Sequence, residues 1–340
     1  MFLLRGVRLD DMEAIYRLAK MLNSINLPDN RKILNKLIAI SLKSFSSELA
    51  DKYDGRYMFV LEDTESGEVI ATSQIIARYG TKENPNSFFK LNRRERYSVS
   101  ANIRIQHCTL KLEFDQDGPT EIGGLILRPT YRNHPARLGK QISFVRFLFM
   151  AIHPESFKER VIAELLPPFN PNGTSPLWEA IGRKFTQIDY LEADRLSQES
   201  KEFLTSLFPW EEIYATLLPK EVQDVIGEVG QETKPVEHML TQIGFKFLDV
   251  IDPFDGGPHY GADLKEIALV AKTTKKSVKF VDHFENPTRT HLGMIGKEAD
   301  KGFQAMQVSM LNREGEVWLR REDVAPMELS QGEMIWVMSY

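Results

Sequence analysis

Around one turn, in the stretch LRPTYRNHPARLGKQISFVRFLFM (Leu127 to Met150), the chain gathers Arg132, His134, Arg137 and Lys140 just ahead of a run that reads as an amphipathic helix. A helix start presents unpaired backbone N–H groups and the positive end of the helix dipole, so cationic side chains placed there suit a phosphate-bearing ligand. The same charges would serve a solvated surface loop equally well. Glu164 closes the apolar run RVIAEL, where a carboxylate is costly unless paired. It is either a site residue or a buried partner within the fold.

The elements that must hold these groups read as follows. A strand over Phe2 to Arg8 leads into a helix with Asp10 as N-cap and Glu13 completing a capping box, with Ile15, Leu18, Ala19 and Leu22 on one face. A second helix is expected over Arg31 to Leu49, with Pro28 and Asp29 as start signals. The run YMFVLEDTESGEVIATSQIIARYG gives a hairpin around Thr64–Gly67. CTLKLEFDQDGPTEIGGLILRP gives another pair of strands, with a turn at Asp117–Pro119 and a bulge at Gly123–Gly124. The cationic turn, a helix to about Ile152 and the strand ending at Glu164 follow. This succession argues for an α/β (α+β) fold, a mixed sheet flanked by helices. Later, Trp178, Ile181, Gly182 and Phe185 echo Leu240, Ile243, Gly244 and Phe247, each set reading as a helical segment, a glycine and a strand, as in a duplicated half-unit. KTTKKSVK reads as a basic, solvated connector, and the segment from Gly302 as short β runs.

At 340 residues the chain exceeds one ordinary domain, and 42% apolar with 27% charged residues is the balance of a globular protein. The expected division is 1–190, 191–270 and a β-rich 271–340. A net charge of -5 disfavours nucleic acid as a partner. No run of eighteen apolar residues offers a membrane span, and the N-terminal stretch lacks a signal-peptide cleavage pattern. One cysteine, Cys108, excludes internal disulfides and multi-cysteine metal sites. The expected compartment is the cytoplasm.

The first 190 residues resemble the Gcn5-related N-acetyltransferase superfamily: strand and helix, hairpin, bulged strand, then a turn and helix. SFVRFLFMAIHPESFKERVIAEL, SPLWEAIGRKF, LLPKEVQDVIGEV, GFKFLDVIDPFDGGP and FQAMQVSM, in that order, resemble the arginine N-succinyltransferase family over nearly the whole chain. The resemblance implies transfer of a succinyl group from succinyl-CoA to the α-amino group of arginine or a relative such as ornithine, without metal or permanently bound cofactor. Homo- or hetero-oligomers with a family member are open under it.

By the same resemblance, Leu125, Ile126 and Leu127 of the bulged strand and Arg132, Arg137, Leu138, Gly139 and Lys140 of the turn would contact acyl-CoA. Asp252 and Asp255, with Glu164, would hold the basic amino acid. Apart from the resemblance, Arg104 and Lys111 are the cations open to its carboxylate, and nothing in the sequence chooses between them. Two departures stand out. The family's turn is glycine-rich, whereas this one contains Pro135, which has no N–H to donate, so side chains must do more of the holding. The family's proton-donating histidine falls at Gly230, and glycine cannot move a proton. His238, His107, Glu228, Glu232 and Tyr131 are the substitutes at hand. The alternative is a family member that binds acyl-CoA or amino acid as a partner subunit or sensor without efficient turnover, or that acylates a different amine.

Overall fold

In the computed structural model, which describes residues 1–21, 27–197, 200–299 and 302–340, the apolar runs become strands β1 (Phe2–Gly6), β2 (Arg56–Asp63), β3 (Glu68–Ile76), β4 (Asn86–Ser98), β5 (Ile103–Asp115), β6 (Thr120–Leu127), β7 (Arg160–Glu164), β8 (Ile213–Tyr214), β9 (Lys246–Ile251), β10 (Pro258–Asp263), β11 (Thr273–Val281), β12 (His291–Ala299), β13 (Gly302–Asn312), β14 (Glu316–Arg320) and β15 (Met334–Ser339). The longer helices are α1 (Met12–Met21), α2 (Arg31–Phe45), α3 (Leu138–Ile152), α4 (Tyr190–Ser197) and α5 (Lys234–Gln242). They belong to two units, Met1–Ala77 with Thr120–Glu159 and Asp263–Tyr340, and Arg78–Pro119 with Arg160–Ala262. Neither unit is a contiguous run of sequence.

In the first unit β1, β2, β3 and β6 form an antiparallel row. Helices α1 and α2 bury Ile15, Leu18, Leu34 and Ile38 against Val60, Val69 and Ile126. Helix α3 is buried nearly all round from Gln141 to Met150, as a helix apolar on every face must be. The remaining strands close on themselves: β12 pairs with β13 and β15, β15 with β11, β11 runs parallel to β14, and β14 pairs with β13. This ring encloses Val278, Ile295, Met306, Val317 and Ile335 and leaves few strand edges open. In the second unit the strand order is β7-β10-β9-β4-β5-β8, packed on Trp178, Tyr190, Leu204 and Phe254.

Four expectations need correction. The strands either side of Asp117–Pro119 do not pair with each other; β5 pairs along its length with β4, and β6 with β3. The charged run RRER hides β4, because that end of the β4–β5 ribbon is exposed on both faces. KTTKKSVK is not a connector but part of β11, a ring strand between β14 and β15, with Val278 fully buried. The duplicated grammar fails after Trp178: its indole Nε1 donates to the Ile188 carbonyl at 2.9 Å and the chain turns into helix α4, whereas the later copy does continue as strand β9. Helix α2 stops at Phe45 instead of Leu49, since the Ser46 hydroxyl donates to the Leu42 carbonyl at 3.0 Å and Ser47 adopts a left-handed φ of 57°. Leu22 lies outside the described residues.

The start of α1 also differs from the Asp10–Glu13 box. Asp11 receives the Arg8 amide at 2.6 Å and both terminal nitrogens of Arg5 at 2.7 and 2.8 Å, while Arg5 Nε reaches Glu62 at 2.7 Å. Glu13 instead pairs with Arg31 at the surface. Arg5 and Asp11 are both buried, so removing one partner strands the other. Arg5→Ala is expected to lower unfolding free energy by about 3–5 kcal/mol, read from the shift of the chemical denaturation midpoint; an unchanged midpoint would show the network to be dispensable.

Candidate active site

The acyl-CoA candidates lie in the first unit. Pairing of β6 with β3 runs from Thr72 opposite Ile126 to Gln74 opposite Gly123, so Gly124 and Leu125 together face Ser73. This is a bulge, with Gly124 at a φ of 57°. Ile126 turns into the α1–α2 core, and its backbone pairs with Thr72 of β3. Leu125 and Leu127 are half-buried, and Leu127 sits beside Gly139. Beneath the bulge the buried Arg146 donates to the Ser143 carbonyl at 2.9 Å, to Ser143 Oγ at 2.8 Å and to the Gly123 carbonyl at 3.4 Å. Burial pushes its guanidinium down to about 9, opposed by the Glu121 carboxylate, so it stays charged at neutral pH.

The cationic turn is internally braced. Arg137 is left-handed at φ 52°, and its carbonyl accepts from Lys140 and Gln141 amides at 2.9 and 3.2 Å. His134 Nδ1 accepts from the Ala136 amide at 3.1 Å, and the side-chain amides of Gln141 and Gln307 hold the Ala136 carbonyl at 2.8 and 3.1 Å. Arg132 and Arg137 are exposed. The Lys140 ammonium lies 5.0 Å from the Phe144 ring centre and 4.3 Å from that of Tyr340, and burial, then Arg137, lowers its pKa. Leu138 and Gly139 open the helix, where amides have no intrahelical partner.

The second unit gathers Glu164, Asp252 and Asp255, as the sequence reading grouped them, and adds groups it did not single out. Asp252 Oδ1 accepts the amides of Phe254 and Asp255 at 2.7 and 3.0 Å, and Asp255 Oδ1 that of Gly257 at 2.7 Å. Phe254 anchors this turn by stacking on Trp178, ring centres 5.1 Å apart. Gly256 has a φ of 84°, and a side chain on Gly257 would meet the Leu165 carbonyl. Across from the turn stands His259 on β10, only 2% exposed, with Nε2 3.3 Å from Glu164 Oε1. Polar atoms of Glu164, Asp252 and His259 lie within 4.8 Å of one another. Tyr79 hydrogen-bonds Glu164, and Lys201 Nζ donates to Tyr79 Oη at 3.3 Å.

Desolvation governs the charge here. Burial raises Glu164, against Lys201 and the Tyr79 hydrogen bond. Burial and then Glu164 raise Asp252; burial and then Asp252 raise Asp255 well above the ordinary range. Burial and Asp252 push Asp194 up to about 6. Burial pushes His259 down to about 4. Tyr190 is raised by burial and then by Asp255, so its hydroxyl stays neutral. Glu164, Asp194 and Asp252 thus feel Lys201, with Asp255 behind them, and among the described residues the cluster is short of positive charge.

The other candidates have surroundings of their own. His238 is exposed on α5, its Nε2 2.9 Å from Gln242, and Glu228 and Glu232 are exposed. His107 Nδ1 is 3.1 Å from Thr216 Oγ1. Tyr131 donates to Asp63 at 3.2 Å. Arg104 pairs with Glu95 at 2.7 Å and Lys111 with Glu113 at 3.4 Å, both partly exposed. Among the described residues Lys201 is the cation that bears on the cluster instead. His259 was within reach of the sequence, two residues after Gly257 in VIDPFDGGPHY; Asp194 and Lys201 sit in a polar helical stretch with no signal of burial.

The chain is similar to known proteins along nearly its whole length. Residues 2–269 match the family described as arginine N-succinyltransferase beta subunit. Arginine N-succinyltransferase of Photorhabdus laumondii is 30% identical over 342 aligned positions, covering 100% of this chain and 98% of that one. The Escherichia coli protein of the same name is 32% identical over 276 positions, covering 80% of this chain and 79% of its own. The structure of arginine/ornithine succinyltransferase subunit AI from Pseudomonas aeruginosa matches with a TM-score of 0.85 at 27% identity, over 100% of this chain and 98% of that one. By the family match over most of its length, and by relatives aligned from end to end, the chain belongs to the arginine N-succinyltransferase family.

Proposed function

We propose that the chain transfers a succinyl group from succinyl-CoA to the α-amino group of L-arginine or ornithine, the first step of arginine breakdown by the succinyl route. Family membership supports the reaction class. The carboxylate excess around Lys201 supports the acceptor: a basic amino acid brings the missing positive charge. In this reading Glu164, Asp252, Asp255 and Asp194 hold the cationic groups and Lys201 meets the carboxylate. The strand around the bulge, Leu125 to Leu127, receives the thioester, and Arg132, Arg137, Lys140 and the open amides of Leu138 and Gly139 hold the CoA phosphates. A neutral amine attacks the thioester carbonyl, an oxyanion develops, and the CoA thiolate leaves. Alignment of two substrates accounts for much of the rate in such transfers. We place the reaction in the cytoplasm; among the described residues no helix is long and apolar enough to cross a membrane.

Gly230 favours a second reading, binding without efficient turnover, since the position where the family carries its histidine has no side chain. Its amide donates to the Leu166 carbonyl at 2.8 Å, and a Cβ there would stand 2.8 Å from the Pro167 carbonyl oxygen. The close backbone approach is incompatible with a larger residue. Gly230→His is therefore expected to destabilise by about 1–3 kcal/mol in thermal melts without raising turnover; a gain in activity would show that the missing side chain limits catalysis. Purified protein with succinyl-CoA and a panel of amines, followed by thiol release, separates the two readings: release above the no-acceptor rate with arginine or ornithine supports transfer, and acyl-CoA binding with no release for any amine supports the second.

Two further outcomes are expected. Arg137→Ala and Lys140→Ala should each weaken succinyl-CoA binding about tenfold, the loss of one charge-assisted contact, and flatten its salt dependence in calorimetry; unchanged affinity would remove the turn from the site. Burial raises these carboxyls, and Asp194, at about 6, must lose its proton to receive a cation, so arginine affinity should rise between pH 5 and 7. Calorimetry in buffers of different ionisation enthalpy should register proton release, and Asp194→Asn should reduce it; a pH-independent affinity with no proton release would count against the cluster as the arginine site.

A further inference from the structure

An amino group reaches a binding site mostly as ammonium and cannot attack until it loses a proton, so an acceptor site needs a group that binds the ammonium and takes that proton. Among the described residues His259 is the buried histidine that stands amid carboxylates; His238 and His283 are exposed, His153 faces Glu298 across a partly exposed surface, and His291 bonds Asn312 and Ser339. His259 Nε2 is fully enclosed and makes no hydrogen bond, with the nearest Glu164 oxygen 3.3 Å away. A buried polar atom with no partner is rare and costly in a finished fold. With Glu164 and Asp252 it leaves a place where a donor of several N–H bonds and one positive charge would satisfy all three at once.

We infer that His259, Glu164 and Asp252 form the seat of the acceptor's α-ammonium and that His259 Nε2 takes its proton. The inference rests on the basic amino acid being the acceptor. A guanidinium has no proton that an imidazole can remove, so the amine end belongs at His259 and the guanidinium nearer Asp194 and Asp255. Nε2 accepts one ammonium proton; the nitrogen lone pair forms the C–N bond to the thioester carbonyl carbon; collapse breaks the C–S bond, the CoA thiolate takes a second N–H proton, and the imidazolium returns its proton to water. The charged groups facing the imidazole are Glu164 from β7, Asp252 from the turn after β9, and Lys201 ahead of the Glu202–Leu207 helix. Burial keeps the imidazole unprotonated and so able to accept, and ionised Asp252 supports the imidazolium once it forms.

The test is steady-state succinyl transfer by His259→Gln, with arginine binding measured alongside. The expected result is a kcat about 100-fold or more below the parent with the arginine dissociation constant within about threefold, and a deficit that shrinks as pH rises from 7 to 9 and the amine ionises unaided. The deficit should also be smaller with L-argininamide, whose α-amine loses its proton more easily. A kcat within threefold of the parent, or a deficit equal for both acceptors at every pH, overturns the inference. If His259→Gln loses its cooperative melt, His259→Asn takes its place under the same criteria. Should the parent protein itself neither bind nor succinylate arginine, the proposed function fails first; should the parent work and the variant match it, only the role of His259 fails.

Discussion

Burial of more negative than positive charge is the constraint on which the second unit depends. Asp255 is buried and Glu164, Asp194 and Asp252 are half-buried, with Lys201 the cation near them among the described residues, an arrangement that costs free energy unless protons or a cation complete it. The surrounding structure is organised to hold that arrangement. Phe254 locks the aspartate turn onto Trp178, the turn amides of Phe254, Asp255 and Gly257 each point a donor at a carboxylate, and the tight approach of Gly257 to Leu165 sets the turn against the end of β7 where Glu164 emerges. A site with this balance is selective by default, because a neutral or anionic ligand would worsen it.

The first unit solves a different charge problem. Arg146 lies inside a helix that is apolar on nearly every side, and its guanidinium is satisfied by a serine one turn back and by the carbonyl of Gly123, with Glu121 as counter-charge. That geometry ties the helix opened by the cationic turn to the strand that carries the bulge. The two features assigned to acyl-CoA are therefore braced by one buried side chain and not by surface contacts alone.

Much of this was legible from residue types. The bulge at Gly123–Gly124, the hairpin at Thr64–Gly67 and the grouping of Asp252, Asp255 and Glu164 follow from glycine placement and from the cost of carboxylates beside apolar runs. What could not be read depended on partners far away in sequence. The β4–β5 ribbon has no alternating pattern because its outer end buries neither face, β11 looks like a basic linker because its lysines point outward from a ring closed by strands some 40 and 60 residues later, and Asp194 and Lys201 look solvated because only the fold buries them. His259 reads as a loop residue for a simpler reason: it follows Gly256, Gly257 and Pro258, which signal a turn, and only the fold shows the strand it belongs to.

The pairing of β1 with β13, Leu4 opposite Ala305, has a consequence for the order of events on the ribosome. Strand β1 waits for β13, far later in the sequence, before that edge is covered, whereas every segment of the second unit, through Ala262, has been made by then. Contacts so distant in sequence are slow to form. The acidic unit can therefore mature ahead of the unit that surrounds it in sequence, and in the interval α1 and α2 already have their partners on β2, β3 and β6 while one edge of β1 stays uncovered.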